Sequence, residues 1–90
     1  MIVRILGEGQ FELPDSAVAE LNVLDAALEE SLTDDAAFRT ALAALLGRVR
    51  EAGTQVDPAL LAQSDVVLPS AEAEAPEVAA MLTEEGLIPD

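Results

Sequence analysis

Two consecutive helical patterns constrain the fold of this chain more than any other feature. Apolar residues recur at intervals of three or four from residue 16 to residue 31, and again from residue 34 to residue 52. This spacing predicts two helices, each with one apolar stripe. Only a short break, at residues 31–34, separates the two patterns. We therefore expect residues 15–53 to form an antiparallel helical hairpin.

The residue types at the ends of these patterns favour helix boundaries. Asp15 or Ser16 can cap the first helix, Thr33 or Asp34 can cap the second, and Gly53 marks its end. The predicted buried residues are Val18, Leu21, Leu24, Leu28 and Leu32 in the first helix and Phe38, Leu42, Leu45, Leu46 and Val49 in the second. The residues expected outside the first stripe are Glu20, Asp25, Glu29 and Glu30. The residues expected to permit close helix contact are Ala37, Ala41 and Ala44.

Residues 1–13, MIVRILGEGQFEL, predict a β-hairpin. The GEG stretch suits a three-residue turn in which Gly9 takes the left-handed conformation. A phosphate-binding loop would need further glycines, a following helix and often a lysine, so we interpret GEG as a turn. The strand register that this turn sets places apolar side chains on one face of the hairpin and polar side chains on the other. The expected register pairs Val3 with Leu13, Ile5 with Phe11, Arg4 with Glu12 and Leu6 with Gln10.

The last part of the chain, residues 57–90, predicts three short elements. A helical turn is expected from Asp57-Pro58 to Leu61, and a strand or extended strip at residues 66–68. A third helix is expected from Pro76 to Gly86, with Val78, Met81 and Leu82 facing inward. The predicted fold is a single α+β domain over residues 1–90, mostly helical, with an N-terminal β-hairpin packed on a three-helix core.

The charge of the chain limits the partners that it can bind. Eighteen residues are Asp or Glu, four are Arg and none is Lys or His, which gives a formal net charge of −14. Such a chain repels the phosphates of nucleic acids and the headgroups of anionic lipids. We therefore expect no nucleic-acid binding and no direct membrane binding. A basic protein surface is the natural complement.

The composition also argues against an enzyme. The chain has no His, Cys, Lys or Tyr, and its acids are predicted on outer helix faces, where no cleft brings two carboxylates together. Asp34-Asp35 and Glu84-Glu85 lie at predicted helix ends and lack the spacing of a calcium loop. We expect no catalytic residue, no metal site and no cofactor. The absence of cysteine, of a signal peptide and of an apolar run of roughly 20 residues favours the cytoplasm.

Three stretches of the sequence resemble one known family. They are MIVRILGEGQ followed by FEL, ELNVLDAAL on the first helix, and the tail SDVVLP…LTEEGLIPD. Their order and spacing are similar to the PspA-associated protein family, PspAA, of the bacterial phage-shock envelope-stress system. The resemblance covers essentially the whole chain and implies an accessory partner of phage-shock protein A. That partner is a coiled-coil protein, related to ESCRT-III subunits, that coats stressed inner membrane. The family implies a small, mainly three-helix domain without known catalytic residues.

The partner-contact candidates are apolar residues that the predicted core does not require. The run Val66-Val67-Leu68 lacks alternation, so it is either a third strand against the hairpin or an exposed strip that binds another chain. Leu87 and Ile88 pose the same choice. In the second case these residues form an acid-ringed patch that docks a basic amphipathic helix. An alternative function is an acidic decoy, of the antitoxin or anti-sigma type, that inhibits a basic nucleic-acid-binding protein.

Overall fold

The chain folds into two layers, with helices against one face of a four-stranded sheet. This architecture is that of a computed structural model, which describes residues 1–60 and 62–82. The strands are β1 (Ile2–Ile5), β2 (Gly9–Glu12), β3 (Thr54–Gln55) and β4 (Val66–Leu68). The helices are α1 (Val18–Glu30), α2 (Asp35–Ala52) and α3 (Ala75–Met81). The predicted class, α+β and mostly helical with an N-terminal hairpin, is confirmed.

The sheet is mixed, with strand order β3-β2-β1-β4. β2 pairs antiparallel with β1 and with β3, whereas β4 pairs parallel with β1. The VVL run is therefore a third strand against the hairpin, the first of the two alternatives left open by the sequence. β3 was not expected, because it has only two residues and both are exposed.

The predicted register of the β1–β2 hairpin is wrong by two residues. Val3 pairs with Phe11 and Arg4 with Gln10, so the turn consists of residues 6–8 rather than 7–9. The Glu8 amide donates to the Ile5 carbonyl at 2.9 Å. Gly7, at the third position of the four-residue β-turn over residues 5–8, has a φ of 86°, which a type II turn requires and which lets the chain reverse earlier than expected. The predicted left-handed Gly9 is confirmed, with a φ of 109°.

The two long helices form the predicted hairpin. The start of α2 agrees with the prediction, whereas the start of α1 does not. Asp34 caps α2, since its Oδ1 accepts the Ala37 amide at 3.1 Å, and α2 ends at Ala52 just before Gly53 as expected. The expected cap of α1 by Asp15 or Ser16 is wrong. These residues belong to a 3-10 turn, Asp15–Ala17, and no side chain accepts an amide at either start.

The C-terminal elements follow the prediction at their starts. The turn after Asp57 is a 3-10 helix over Pro58–Leu60, and Asp57 Oδ1 accepts the Ala59 amide at 2.9 Å. α3 has a reciprocal capping box between Glu74 and Glu77, with Pro76 in its first turn. α3 ends at Met81, and Leu82 after it takes extended backbone angles. Leu61 and Gly86 themselves lie outside the described residues.

One hydrophobic core lies between the sheet and the helices. Its strand residues are Val3, Ile5, Phe11, Val66 and Leu68, with Leu13 directly after β2, and its helix residues include Leu21, Leu28, Phe38, Leu42, Leu45, Leu46, Val49 and Val78. The hairpin keeps its predicted apolar face because a shift of two residues leaves every side chain on the same side. In the first stripe, Leu24 and Leu32 are only half-buried, as are the predicted inward residues Met81 and Leu82 of α3.

Asp25 corrects the predicted polar face of α1. Its side chain is buried, with 3% of its surface exposed, although the sequence placed it outside the apolar stripe. Residues three and four positions apart share a helix face, and Asp25 lies four residues after Leu21 and three before Leu28, both fully buried. Helix geometry therefore outweighs the polarity of this residue.

Candidate interaction surface

Several acidic side chains of the described chain cap helix ends or form ion pairs. Within residues 1–60 and 62–82, no group of three or more Asp or Glu side chains is arranged to hold a metal ion. Asp34 is engaged as the cap of α2. No helix in this part of the chain is long and apolar enough to cross a membrane.

Three arginines of α2 each bind a different element of the fold. Arg39 pairs with Glu74 at the start of α3 at 2.8 Å and also donates to the Ala73 carbonyl at 3.2 Å. Arg48 pairs with Glu20 of α1. Arg50 pairs with Glu8 in the hairpin turn; its Nε lies 2.7 Å from Oε1 and its Nη2 lies 2.5 Å from Oε2. α2 is thus tied to α1, to α3 and to the hairpin by charge.

The ion pairs of Arg48 and Arg50 shift pKa values. The hydrogen bond from Arg50, with a smaller contribution from its charge, lowers the pKa of the Glu8 carboxyl below its ordinary 4.5, although partial burial acts in the opposite direction. The pKa of Arg50 is raised, chiefly by the hydrogen bond to Glu8. The pKa of Arg48 is raised, chiefly by the hydrogen bond to Glu20. Glu8, Arg48 and Arg50 are therefore charged at neutral pH.

The predicted partner-contact residues of β4 lie in two different environments. Val66 and Leu68 point into the core, with 4% and 0% of their surfaces exposed, whereas Val67 lies on the outer face and is 42% exposed. Val67 is paired in register with Arg4 of β1. Leu87 and Ile88 lie outside the described residues. Among the described candidates, only Val67 presents its side chain to solvent.

The segment between β3 and β4, residues 56–65, connects the two edges of the sheet. The Val56 amide donates to the Gln10 carbonyl at 2.9 Å. The Gln10 side chain, itself buried, donates through Nε2 to the Ala62 carbonyl at 2.7 Å and to Ser64 Oγ at 2.8 Å. Sequence reasoning placed Gln10 on the polar face of the hairpin and missed this role. A cavity of about 300 Å³ remains between this segment and the sheet.

A shallow apolar groove runs between α1 and α2 on the surface of the molecule. Its volume is about 560 Å³. The lining residues are Leu24, Ala27 and Ser31 from α1 and its end, and Ala36, Ala37, Thr40, Ala41 and Ala44 from α2. A second depression continues it through Leu24 and Ala44 to a charged end formed by Glu20, Arg48 and Glu51. We call both depressions together the α1–α2 groove.

Both walls of the α1–α2 groove follow one spacing. On the α1 side the positions are 20, 24, 27 and 31, and on the α2 side they form two adjacent rows, one of 37, 41, 44, 48 and 51 and one of 36, 40, 43 and 47. These steps of four and three residues are the spacing of a coiled-coil seam. The large side chains of Leu21, Leu28 and Leu45 occupy neighbouring positions and point into the core instead.

Sequence reasoning assigned the alanines of α2 to close contact between helices. In the fold, Ala37 and Ala44 are exposed and line the groove, while Ala41 is half-buried. The alternation of four and three residues on both helices is visible in the sequence. The sequence predicts the leucine stripes as buried, but it leaves open whether another element covers the neighbouring rows.

Comparison with known proteins gives one match. A family model described as PspAA, PspA-associated protein, matches residues 1–90. No curated protein and no solved structure matches the chain.

Proposed function

The chain belongs to the PspA-associated protein family, and we propose that it is a non-catalytic interaction module that serves phage-shock protein A as an accessory partner. The observation that carries this proposal is the family match over residues 1–90, the full length of the chain. The proposed setting is the bacterial response to envelope and membrane stress.

The residue types of the chain support a binding role rather than catalysis. The sequence lacks His, Cys, Lys and Tyr, the usual nucleophiles and general bases apart from carboxylates and hydroxyls. Three of its four arginines are held in ion pairs on α2. What the surface offers is unpaired negative charge, which accelerates the approach of a basic protein surface.

The proposed location is the cytoplasm, with recruitment to the inner membrane through phage-shock protein A. A net charge of −14 opposes direct contact with anionic headgroups, so the partner would provide the attachment. The partner is taken to be a coiled-coil protein, as the family resemblance implies. Val67, with Leu87 and Ile88, stays a candidate for this contact, and its solvent-exposed side chain supports that role.

The direct test is reconstitution from two purified proteins. The chain and phage-shock protein A are mixed at 50 mM and at 150 mM salt; the complex is detected by analytical ultracentrifugation and its association rate is measured by surface plasmon resonance. We expect a complex whose association rate falls as salt increases, because the encounter is steered by charge. An unrelated acidic protein of similar size and net charge is the control. If the control binds equally well, or if no complex forms at either salt concentration, the proposal is wrong.

A further inference from the structure

We infer that the α1–α2 groove is the docking site for one amphipathic helix with basic flanks, supplied by the partner protein. This inference names a surface for the proposed association with phage-shock protein A and rests on that proposed function for the identity of the partner. The geometry of the groove points to the shape of the ligand, and the charges around it point to its chemistry.

The two walls of the groove fit a helix better than an extended peptide. Positions 20, 24, 27 and 31 of one wall and 37, 41, 44 and 48 of the other are spaced as the seams of a coiled coil, and α1 and α2 are antiparallel. From Glu20 to Ser31 the wall rises roughly 16 Å, which is about three helical turns. A third helix in this position would complete a three-helix bundle.

The centre of the groove is apolar and shallow. Leu24 is the one large apolar side chain among its described lining residues, and apart from Glu20, Arg48 and Glu51 at one end the others are Ala, Gly, Ser or Thr. Small side chains allow the backbone of a second helix to approach closely, and the approaching helix supplies the larger apolar side chains. Val23, 69% exposed, stands beside Leu24 on α1 and extends the apolar surface. The partner helix is therefore expected to present Leu, Ile or Met toward the groove.

The ends of the groove carry the charge that selects a basic helix. At one end, Glu20 and Glu51 face Arg48, which leaves an excess of one acid. Beyond the other end, the connection from α1 to α2 carries exposed acids that do not line the groove, without a described arginine among them: Glu30, Asp34 and Asp35. A helix with Lys or Arg beside its apolar stripe complements both ends.

The same charges argue against a second copy of this chain as the occupant. Two copies joined through the groove would bring together the acids at its ends, and each copy carries a net charge of −14. Like charges placed together at an interface lower its affinity. A basic helix from a different protein meets no such repulsion.

Two adjacent alanines of α1 provide a matched pair of variants. Ala27 lines the groove, and Ala26 is exposed but does not line it. Ala27→Glu and Ala26→Glu change the net charge equally and differ only in the face that they alter. We expect Ala27→Glu to weaken binding of phage-shock protein A by at least about tenfold, because a carboxylate would be buried against apolar side chains. Ala26→Glu should bind within about twofold of the unmodified chain, as exposed positions away from an interface do.

Folding and binding are read separately in this experiment. In thermal melts followed by circular dichroism, the unmodified chain and the two variants should have similar melting temperatures, since both alanines are exposed and Glu is a good helix former. Equal affinities of the two variants for phage-shock protein A would overturn the groove as the docking site while leaving the proposed function in place. A dimer of the unmodified chain that Ala27→Glu dissociates would also overturn it, in favour of a second copy.

A designed peptide separates failure of the groove from failure of the partner. The probe is an 18-residue helical peptide with Leu at the four-three positions and Lys on both flanks, and its twin carries Glu in place of Lys. If the unmodified chain does not bind phage-shock protein A, the proposed function fails. The peptide then tests whether the groove binds a basic amphipathic helix. Binding of the Lys peptide that is lost in Ala27→Glu supports the site. Absence of binding, or equal binding of the Glu peptide, overturns it.

Discussion

Arg50 near the end of α2 forms a bidentate ion pair with Glu8 in the hairpin turn: Nε donates to Oε1 at 2.7 Å and Nη2 donates to Oε2 at 2.5 Å. These two residues are 42 positions apart in the sequence. Paired contacts of this kind fix the orientation of both side chains, because the planar guanidinium matches the carboxylate. The contact holds the tip of the hairpin against the helical layer.

Replacing Glu8 by Gln should lower stability at neutral pH by about 0.5–1 kcal/mol, the range of a well-formed surface pair after solvent screening. For a domain of this size that is a decrease in melting temperature of about 2–8 °C. Because the pKa of Glu8 is lowered on folding, its contribution is present above the ordinary pKa of 4.5 and is lost as pH falls through the folded-state value. Melts of both proteins from pH 7 to pH 3 check this. A stability difference that grows on acidification would contradict it.

Two glycines of the α2 region should respond in opposite directions to substitution by Ala. A Cβ atom at position 53 would lie 2.8 Å from the Val49 carbonyl oxygen and 2.9 Å from Phe11 Cβ, so Gly53→Ala should cost about 1–3 kcal/mol. A Cβ atom at position 47 meets nothing within 4 Å, so Gly47→Ala should stabilise the helix by about 0.5–1 kcal/mol. Urea unfolding of the two variants measures both. Equal effects would mean that contact at position 53 is unimportant.

Neighbouring residues of β4 should separate core from surface. Leu68 is fully buried, so Leu68→Ala should cost about 2–5 kcal/mol of unfolding free energy. Val67→Glu should change it by no more than about 0.5 kcal/mol, because the side chain is exposed and the new carboxylate would stand opposite Arg4. If Val67→Glu also unfolds the chain, position 67 belongs to the core. If the Val67→Glu variant stays folded, its affinity for phage-shock protein A tests whether Val67 contacts that partner.

The faces of the elements could be predicted from the sequence, but several details could not. The apolar face of the hairpin is fixed by the alternation of Val3 and Ile5 with Arg4, and any even shift in register preserves it. The register itself depends on which glycine takes the third position of the turn, and the sequence offers both Gly7 and Gly9. β3 carries no pattern, since two residues are too few to alternate.

The buried polar residues and the groove depend on tertiary packing. Asp25 and Gln10 look like surface residues by type, and only the positions of Leu28 and of residues 62–64 around them explain their burial. The α1–α2 groove exists because the buried leucines of the two helices face the core, which leaves the adjacent small residues of α2, with Leu24 and Ala27 of α1, at the surface. Periodicity predicts the buried stripes. Whether another element covers the adjacent rows depends on tertiary packing.

The isolated chain should not bind anionic membranes. Its net charge of −14 meets the negative surface potential of such a membrane with repulsion, and no helix among the described residues can span the bilayer. We expect the chain to stay in the supernatant when it is sedimented with vesicles of phosphatidylglycerol and phosphatidylethanolamine at physiological salt. Addition of phage-shock protein A should carry it into the pellet, and Ala27→Glu should prevent this transfer while Ala26→Glu should not. Sedimentation of the chain alone with these vesicles would show that it has a membrane-binding surface of its own.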